Sequence, residues 1–302
     1  MKALAAGAAL GALAIASSAS AAPLRVLYFT KSAGYEHSVI SWKNGQPSHS
    51  ERILLDLAPK HDLAFTFSKD GSLFSPGYLA GFDVVMFYTS GDLTTTGVDG
   101  HPAITAAGKQ ALLDYVAAGG GFVAVHSGSD TFHTLESGGG NPTERGTRYK
   151  VYGEAADPFI RMLGGEFINH GPQQVATVRV VDPKFPGCSE LGDSWECMEE
   201  WYSLKEFAPD QHVLLVMLTE GMDGVDYQRP DFPLAWARPH GKGRVWYNAM
   251  GHREDIWEHP NFQAMLLGGM AWAGRRVDAD VSPNIKLVTP GASTMPPQRG
   301  GT

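Results

Sequence analysis

Four histidines and a pair of glutamates stand where side chains could move protons or bind a cation. His37, His126 and His252 each follow an apolar run, His170 lies in the segment EFINHGP (166–172), and Glu199 and Glu200 precede Trp201 and Tyr202. An imidazole near its ordinary pKa can act as base, acid or ligand. Imidazole and carboxylate together suit Zn, Mn or Fe, so His126, His170, Glu200 and His252 form a candidate divalent-metal set, although no HxH or HExxH spacing accompanies them. Carboxylates beside aromatic rings also suit a carbohydrate site, with Trp201 and Tyr202 stacking on sugar faces while Glu200 binds hydroxyls. An edge strand with solvated glutamates is the plainer alternative. The segment Val125-His126-Ser127-Gly128 turns sharply out of an apolar run, as a nucleophile elbow does. The GxSxG motif itself is absent: the apex falls on His126 and Ser127 comes one place late, so His126 takes the acid, base or ligand role and Ser127 is the alternative as nucleophile.

These residues need a scaffold that brings them together. The runs LRVLYFT (24–30), VVMFY (84–88) and FVAV (122–125) are continuously apolar, as strands buried on both faces are, and 64–68 alternates as a short strand. A helix is predicted from about 49 to 59, with Ile53, Leu54 and Leu57 on one stripe. Another spans 105–117, with Leu112, Leu113 and Val116 on one side, and Gly119-Gly120-Gly121 stops it. Strands alternating with helices imply parallel pairing through right-handed crossovers. The first half therefore reads as a doubly wound α/β sheet of the flavodoxin-like kind. In the second half, a short helix at 158–163, strands at 176–181, 213–218 and 243–249, and a helix at 262–273 add antiparallel strands to the mostly parallel sheet. Glu199 to Ser203 falls between them.

In an open parallel sheet, ligands bind beyond the carboxyl ends of the strands, where the strand order reverses. His37, the loop Thr89-Ser-Gly-Asp92, His126 with Asp130, and His252 all fall just past such ends, which predicts one cleft receiving three imidazoles from three strands. His37, His170 and Asp130 are expected in or next to the substrate shell.

The 302 residues are 43% hydrophobic and 19% charged, enough to bury one large core. A net charge of −8 argues against nucleic acid or an anionic membrane surface as partner and favours a small, uncharged one. Residues 1–21 carry Lys2, an uncharged apolar run and Ala19-Ser20-Ala21, the pattern of a cleaved secretory signal peptide. The apolar run is too short to span a membrane. The expected location is periplasmic or secreted, where a Cys188–Cys197 disulfide is permitted. Residues 22–276 read as a single domain. From Val277, Pro and Gly accumulate and periodicity vanishes, which predicts a mobile tail over 277–302.

With these landmarks on the page, the chain from about Arg25 to Ala273 resembles the ThuA-like family, named for trehalose utilisation, a branch of the class I glutamine amidotransferase-like fold. The resemblance rests on Phe29-Thr-Lys-Ser-Ala-Gly-Tyr-Glu-His37, Gly119-Gly-Gly-Phe-Val-Ala-Val-His126, Glu199-Glu-Trp-Tyr202, Pro233-Leu-Ala-Trp236 and Gly251-His252. The chain departs from the family's frequent His-Pro at His170-Gly-Pro172, and has Phe232 where the family often has His before the late Pro. The resemblance implies a non-amidotransferase activity, because His126 stands where amidotransferases carry cysteine, and a role with disaccharides or glycosides, particularly sugars oxidised to a ketone at carbon 3. The expected function is an exported enzyme on a sugar or 3-keto-glycoside, with His126, His252 and Glu200 carrying the chemistry. A noncatalytic sugar-binding or partner-docking module and a metal-dependent hydrolase are the alternatives.

Overall fold

Every residue of β3 (Val84–Phe87) and β4 (Gly121–Val125), and all of β1 (Leu24–Phe29) except Arg25, is buried, as the continuous apolar runs demand of strands covered on both faces. The computed structural model describes residues 22–134 and 148–298; the signal-peptide expectation for 1–21 and the Gly-rich stretch 137–141 lie outside the described residues. Between β1 and β3 come α1 (His49–Leu57), β2 (Leu63–Ser68) and α2 (Pro76–Leu79); α3 (Ala106–Ala118) leads into β4. A reciprocal cap starts α1: Ser48 Oγ accepts from the Glu51 N–H, and the Glu51 carboxylate accepts from the Ser48 N–H.

The second half contributes α4 (Pro158–Leu163), β5 (Glu166–His170), β6 (Gln174–Val180), β7 (Ser194–Glu199), β8 (Tyr202–Lys205), β9 (His212–Met217), β10 (Phe232–His240) and β11 (Gly243–Asn248). The helices α5 (Glu254–Glu258), α6 (Pro260–Ala273) and α7 (Ile285–Val288) follow. The nine-stranded sheet runs β2-β1-β3-β4-β11-β10-β9-β6-β7, parallel from β2 to β11 and antiparallel beyond. β5 and β8 form a separate antiparallel pair. The doubly wound sheet with added antiparallel strands is therefore as the sequence predicts. Strand order reverses between β1 and β3, and the cleft-forming edge lies there.

Two points the sequence left open are decided and one expectation is corrected. The segment 199–203 is not one element: β7 ends at Glu199 in the large sheet and β8 begins at Tyr202 in the small one, so Glu200 and Trp201 are the crossing between sheets. Cys188 and Cys197 are both free thiols and form no disulfide; burial holds each up to about 12. The tail predicted to be mobile is packed over its described part: α7 sets Ile285 against Val213 and Val216, and Arg229 Nη2 donates to the Ala292 carbonyl at 2.6 Å. No helix among the described residues is long and apolar enough to cross a membrane.

Candidate functional site: a buried histidine and carboxylate cluster

The carboxyl ends of β1, β4 and β11 deliver His37, His126 and His252 to one place. Their ring centroids are 4.8 Å (His37 to His126), 5.2 Å (His37 to His252) and 5.2 Å (His126 to His252) apart. Glu200 arrives from the crossing between sheets, with Oε2 3.0 Å from His252 Nδ1 and 3.5 Å from His126 Nε2. One ligand-capable atom from each of these four residues lies within 4.8 Å of the others.

Each side chain is held in place by the fold. His126 follows β4 directly and has φ 43°, the left-handed backbone that the elbow expectation requires. Its Nδ1 is 3.0 Å from the Ala249 carbonyl, a contact that puts the proton on Nδ1 and leaves the lone pair on Nε2. The Tyr202 ring packs 4.1 Å from the His126 ring and 4.1 Å from Phe167, which floors the cluster with aromatic surface. His252 is placed through Gly251, whose φ of 121° favours glycine. The Gly251 N–H donates to Glu199 Oε2 at 2.8 Å, and its carbonyl accepts from Tyr88 Oη and Trp257 Nε1 at 3.0 and 2.8 Å.

Electrostatics follow from burial and pairing. Burial pushes the His37 imidazole well below its ordinary value, and the neighbouring His126 and His252 push the same way. Burial likewise lowers His126 against the opposing pull of Glu200. For His252 burial is outweighed by the hydrogen bond and charge of Glu200, and its value is raised. Burial pulls Glu200 up, but contact with His126 and His252 pulls it further down, well below the carboxylate range, so the carboxylate is ionised. His37 Nδ1, His126 Nε2 and His252 Nδ1 are buried without an aligned hydrogen-bond partner; Glu200 Oε2 lies near the last two, off the line of their ring nitrogens. The imidazoles of His37 and His126, held neutral by burial and with unsatisfied ring nitrogens, converge with His252 and the ionised Glu200 into a set of imidazole and carboxylate donors that suits a divalent transition ion. Gln173 Nε2, 3.0 Å from His252 Nε2, puts the His252 proton on Nδ1, so cation binding there requires that proton to move to Nε2 and the Gln173 amide to turn its oxygen toward it.

The other predicted residues fall outside this group. His170 stands at the opening with its side chain 40% exposed, its Nδ1 3.4 Å from Glu200 Oε1 and 2.9 Å from the Gly171 carbonyl; in the four-residue ligand set its place is taken by His37. Trp201 is fully buried and its Nε1 donates to the Gln174 carbonyl, so it offers no face to a sugar; Tyr202 is buried beneath His126 for the same reason. Ser127 is buried in the turn after His126 and is absent from the ligand set. Asp130 faces His133 at 2.6 Å, away from the cluster, and the other nitrogen of His133 meets Glu166 at 2.8 Å. Sequence reasoning missed this buried ion network, which Lys205 extends at 3.3 Å from Glu166, and it missed the bracing role of Glu199. Glu199 is signalled only by its place beside Glu200. Nothing local signals the network, whose members lie up to 75 residues apart, from Asp130 to Lys205.

An open, doubly wound sheet carrying a His/Glu cluster at its switch point defines an α/β protein of the class that binds its ligand beyond the carboxyl ends of the strands. The family model described as ThuA, trehalose utilisation, matches residues 25–273, and the chain belongs to that family. Among solved structures it is similar to a ThuA-like protein of Bacteroides uniformis (19% identity, TM-score 0.58, covering 90% of this chain and 99% of that one). It is also similar to a ThuA-like protein of Parabacteroides merdae (18%, 0.54, 92% and 98%) and to a cytoplasmic protein of Salmonella typhimurium (13%, 0.52, 83% and 99%). At these identities the likeness concerns the fold. No curated protein matches the sequence.

Proposed function

We propose that this protein is an exported carbohydrate-processing enzyme acting on keto-glycosides or disaccharides, with His37, His126, His252 and Glu200 holding a divalent ion at its reactive centre. The observation that carries the proposal is the convergence of three imidazoles and one ionised carboxylate, with one ligand-capable atom of each within 4.8 Å of the others. Burying such groups without partners is costly, and a bound ion would remove the cost. The family's link to trehalose utilisation supports a sugar as substrate, and the leader-like residues 1–21 support export.

A bound ion would polarise a sugar carbonyl or hydroxyl oxygen. The chain's own groups supply the rest. Glu200 stays ionised and holds positive charge at the floor of the cleft, while Tyr202 keeps water from the His126 side. His170 stands at the opening, its Nδ1 2.9 Å from the Gly171 carbonyl and 3.4 Å from Glu200 Oε1, where its imidazole would meet an entering substrate. A ketone acidifies the adjacent C–H. Transfer of the C2 proton of a 3-keto-glycoside to the His170 imidazole leaves the electron pair to form the C1–C2 double bond as the C1–O bond breaks, and the imidazolium returns that proton to the departing oxygen.

Incubating the purified protein with 3-keto-trehalose or a 3-keto-glucoside, after loading with Zn, Mn or Fe(II) and after chelation, tests the proposal. Glycone release that needs the ion is the expected result. Full turnover by ion-free protein would remove the metal and leave proton transfer alone, whereas sugar binding without product would make the protein a binding module.

A further inference from the structure

The rings assigned by sequence to sugar stacking are buried, yet one aromatic side chain stands exposed on the cluster itself. Tyr35 is 63% exposed, and its ring centroid lies 4.9 Å from that of His37 with the planes at 85°. An exposed aromatic is unremarkable when its backbone is free to move. The backbone of Tyr35 is held twice by one side chain: its N–H donates to Ser90 Oγ at 3.0 Å, and Ser90 Oγ donates to its carbonyl at 2.7 Å. The Ser90 carbonyl in turn accepts from the N–H groups of Ala33 and Gly34. Gly34 also packs on Gly91, where a Cβ would come 2.5 Å from the Gly34 nitrogen. The loop that carries Tyr35 is thus pinned across the carboxyl ends of β1 and β3, the place where strand order reverses and where ligands enter.

From this placement we infer that Tyr35 is the platform on which a sugar ring stacks as it enters the His37–His126–His252–Glu200 site, an inference that rests on the carbohydrate reading above. A ring whose backbone is fixed before binding loses little freedom when a pyranose covers it, so its apolar face stabilises the complex at low entropic cost. The hydroxyl plays no part in this contact. Because stacking holds the sugar before and during the reaction alike, Tyr35 acts on binding and leaves the chemical step untouched.

The test compares Tyr35→Ala and Tyr35→Phe with wild type, reading dissociation constants for trehalose and methyl glucoside by saturation-transfer NMR, and KM and kcat on a 3-keto-glucoside. Tyr35→Ala is expected to weaken binding and raise KM by about tenfold with kcat nearly unchanged, while Tyr35→Phe stays within about twofold of wild type. Unfolding midpoints of all three proteins should coincide, since Tyr35 is exposed. Turnover with Tyr35→Ala at wild-type KM would overturn the platform and leave the enzyme proposal standing. Sugar binding weakened by Tyr35→Ala in a protein without turnover would leave the platform standing and overturn the enzyme proposal. A loss in Tyr35→Phe equal to that in Tyr35→Ala would overturn stacking, and wild-type protein that binds and converts no sugar would overturn both.

Discussion

Oε2 of Glu199 accepts a hydrogen bond from the backbone of Gly251, 52 residues away, at 2.8 Å, and a second from the His252 N–H at 3.1 Å. One carboxylate thereby ties the end of β7 to the turn that presents His252, while Glu199 Oε1 accepts from the N–H of Glu200 at 2.7 Å. Burial lifts Glu199 to about 7, against the pull of these N–H donors. Glu199→Ala leaves the Gly251 and His252 N–H groups buried and unpaired, which is expected to cost about 2 to 3 kcal/mol of stability. Because partners of this kind orient the ligands, metal affinity should also fall about 10- to 100-fold. Glu199→Gln keeps one acceptor and should lose less of both. Chemical denaturation and metal competition measure the two effects, and retention of wild-type affinity by Glu199→Ala would exclude a bracing role.

Loading the cluster should stabilise the fold. An ion that binds only the native state adds about 2.7 kcal/mol when its concentration is 100 times its dissociation constant. For a chain of this size that corresponds to a rise of roughly 5 °C or more in Tm. Calorimetry with Zn, Mn or Fe(II), with and without a chelator, should show the rise in wild type and no response in Glu200→Gln, which lacks the anionic ligand. Identical Tm values in wild type with ion and with chelator would count against the site.

The positions of the three cluster histidines were legible in the sequence because each follows an apolar run, and parallel strands place their carboxyl ends on one edge. Glu200 was legible as a carboxylate near aromatics, but its direction was not. Side chains alternate along a strand, so the break between β7 and β8 decides whether Glu200 faces the cleft and Trp201 the core, and nothing in the local pattern marks that break. The stacking role failed for the same reason. His133 and Glu166 look like ordinary polar residues until the fold brings them together.

His133 lies between Asp130 and Glu166, with a carboxylate facing each ring nitrogen, so both nitrogens donate and the ring is an imidazolium. Burial works against the charge, but the two carboxylates outweigh it and raise His133 to about 9. A histidine whose folded value exceeds its unfolded value of about 6.5 contributes stability that is complete below that lower value and disappears as pH rises through 9. Wild type should therefore lose up to a few kcal/mol more than His133→Gln between pH 6.5 and 9.5, with the variant less stable at pH 6.5 and the difference narrowing upward. Denaturant titrations of both proteins across this range check the slope. A constant difference would mean that the ring is not held charged.

Docking of the carboxyl-terminal segment rests on backbone groups that the sheet leaves open. β6 pairs with β9 only at Leu215, Val216 and Met217, so the earlier residue Val213 has no strand partner on that side. Asn284 fills the gap: its Oδ1 accepts from the Val213 N–H at 2.7 Å and its Nδ2 donates to the Val213 carbonyl at 3.1 Å, while Ile285 covers Val213 and Val216. Ending the chain before residue 284 would expose this apolar surface and also remove the Ala292 carbonyl from Arg229, which is 7% exposed. The truncated protein is expected to be less stable by about 2 to 4 kcal/mol, and Asn284→Ala alone by about 1 to 2 kcal/mol. Because the segment packs away from the cluster histidines, metal binding by the truncated protein should be unchanged at temperatures where it remains folded. A truncated chain with the wild-type denaturation midpoint would show that these contacts contribute nothing to the fold.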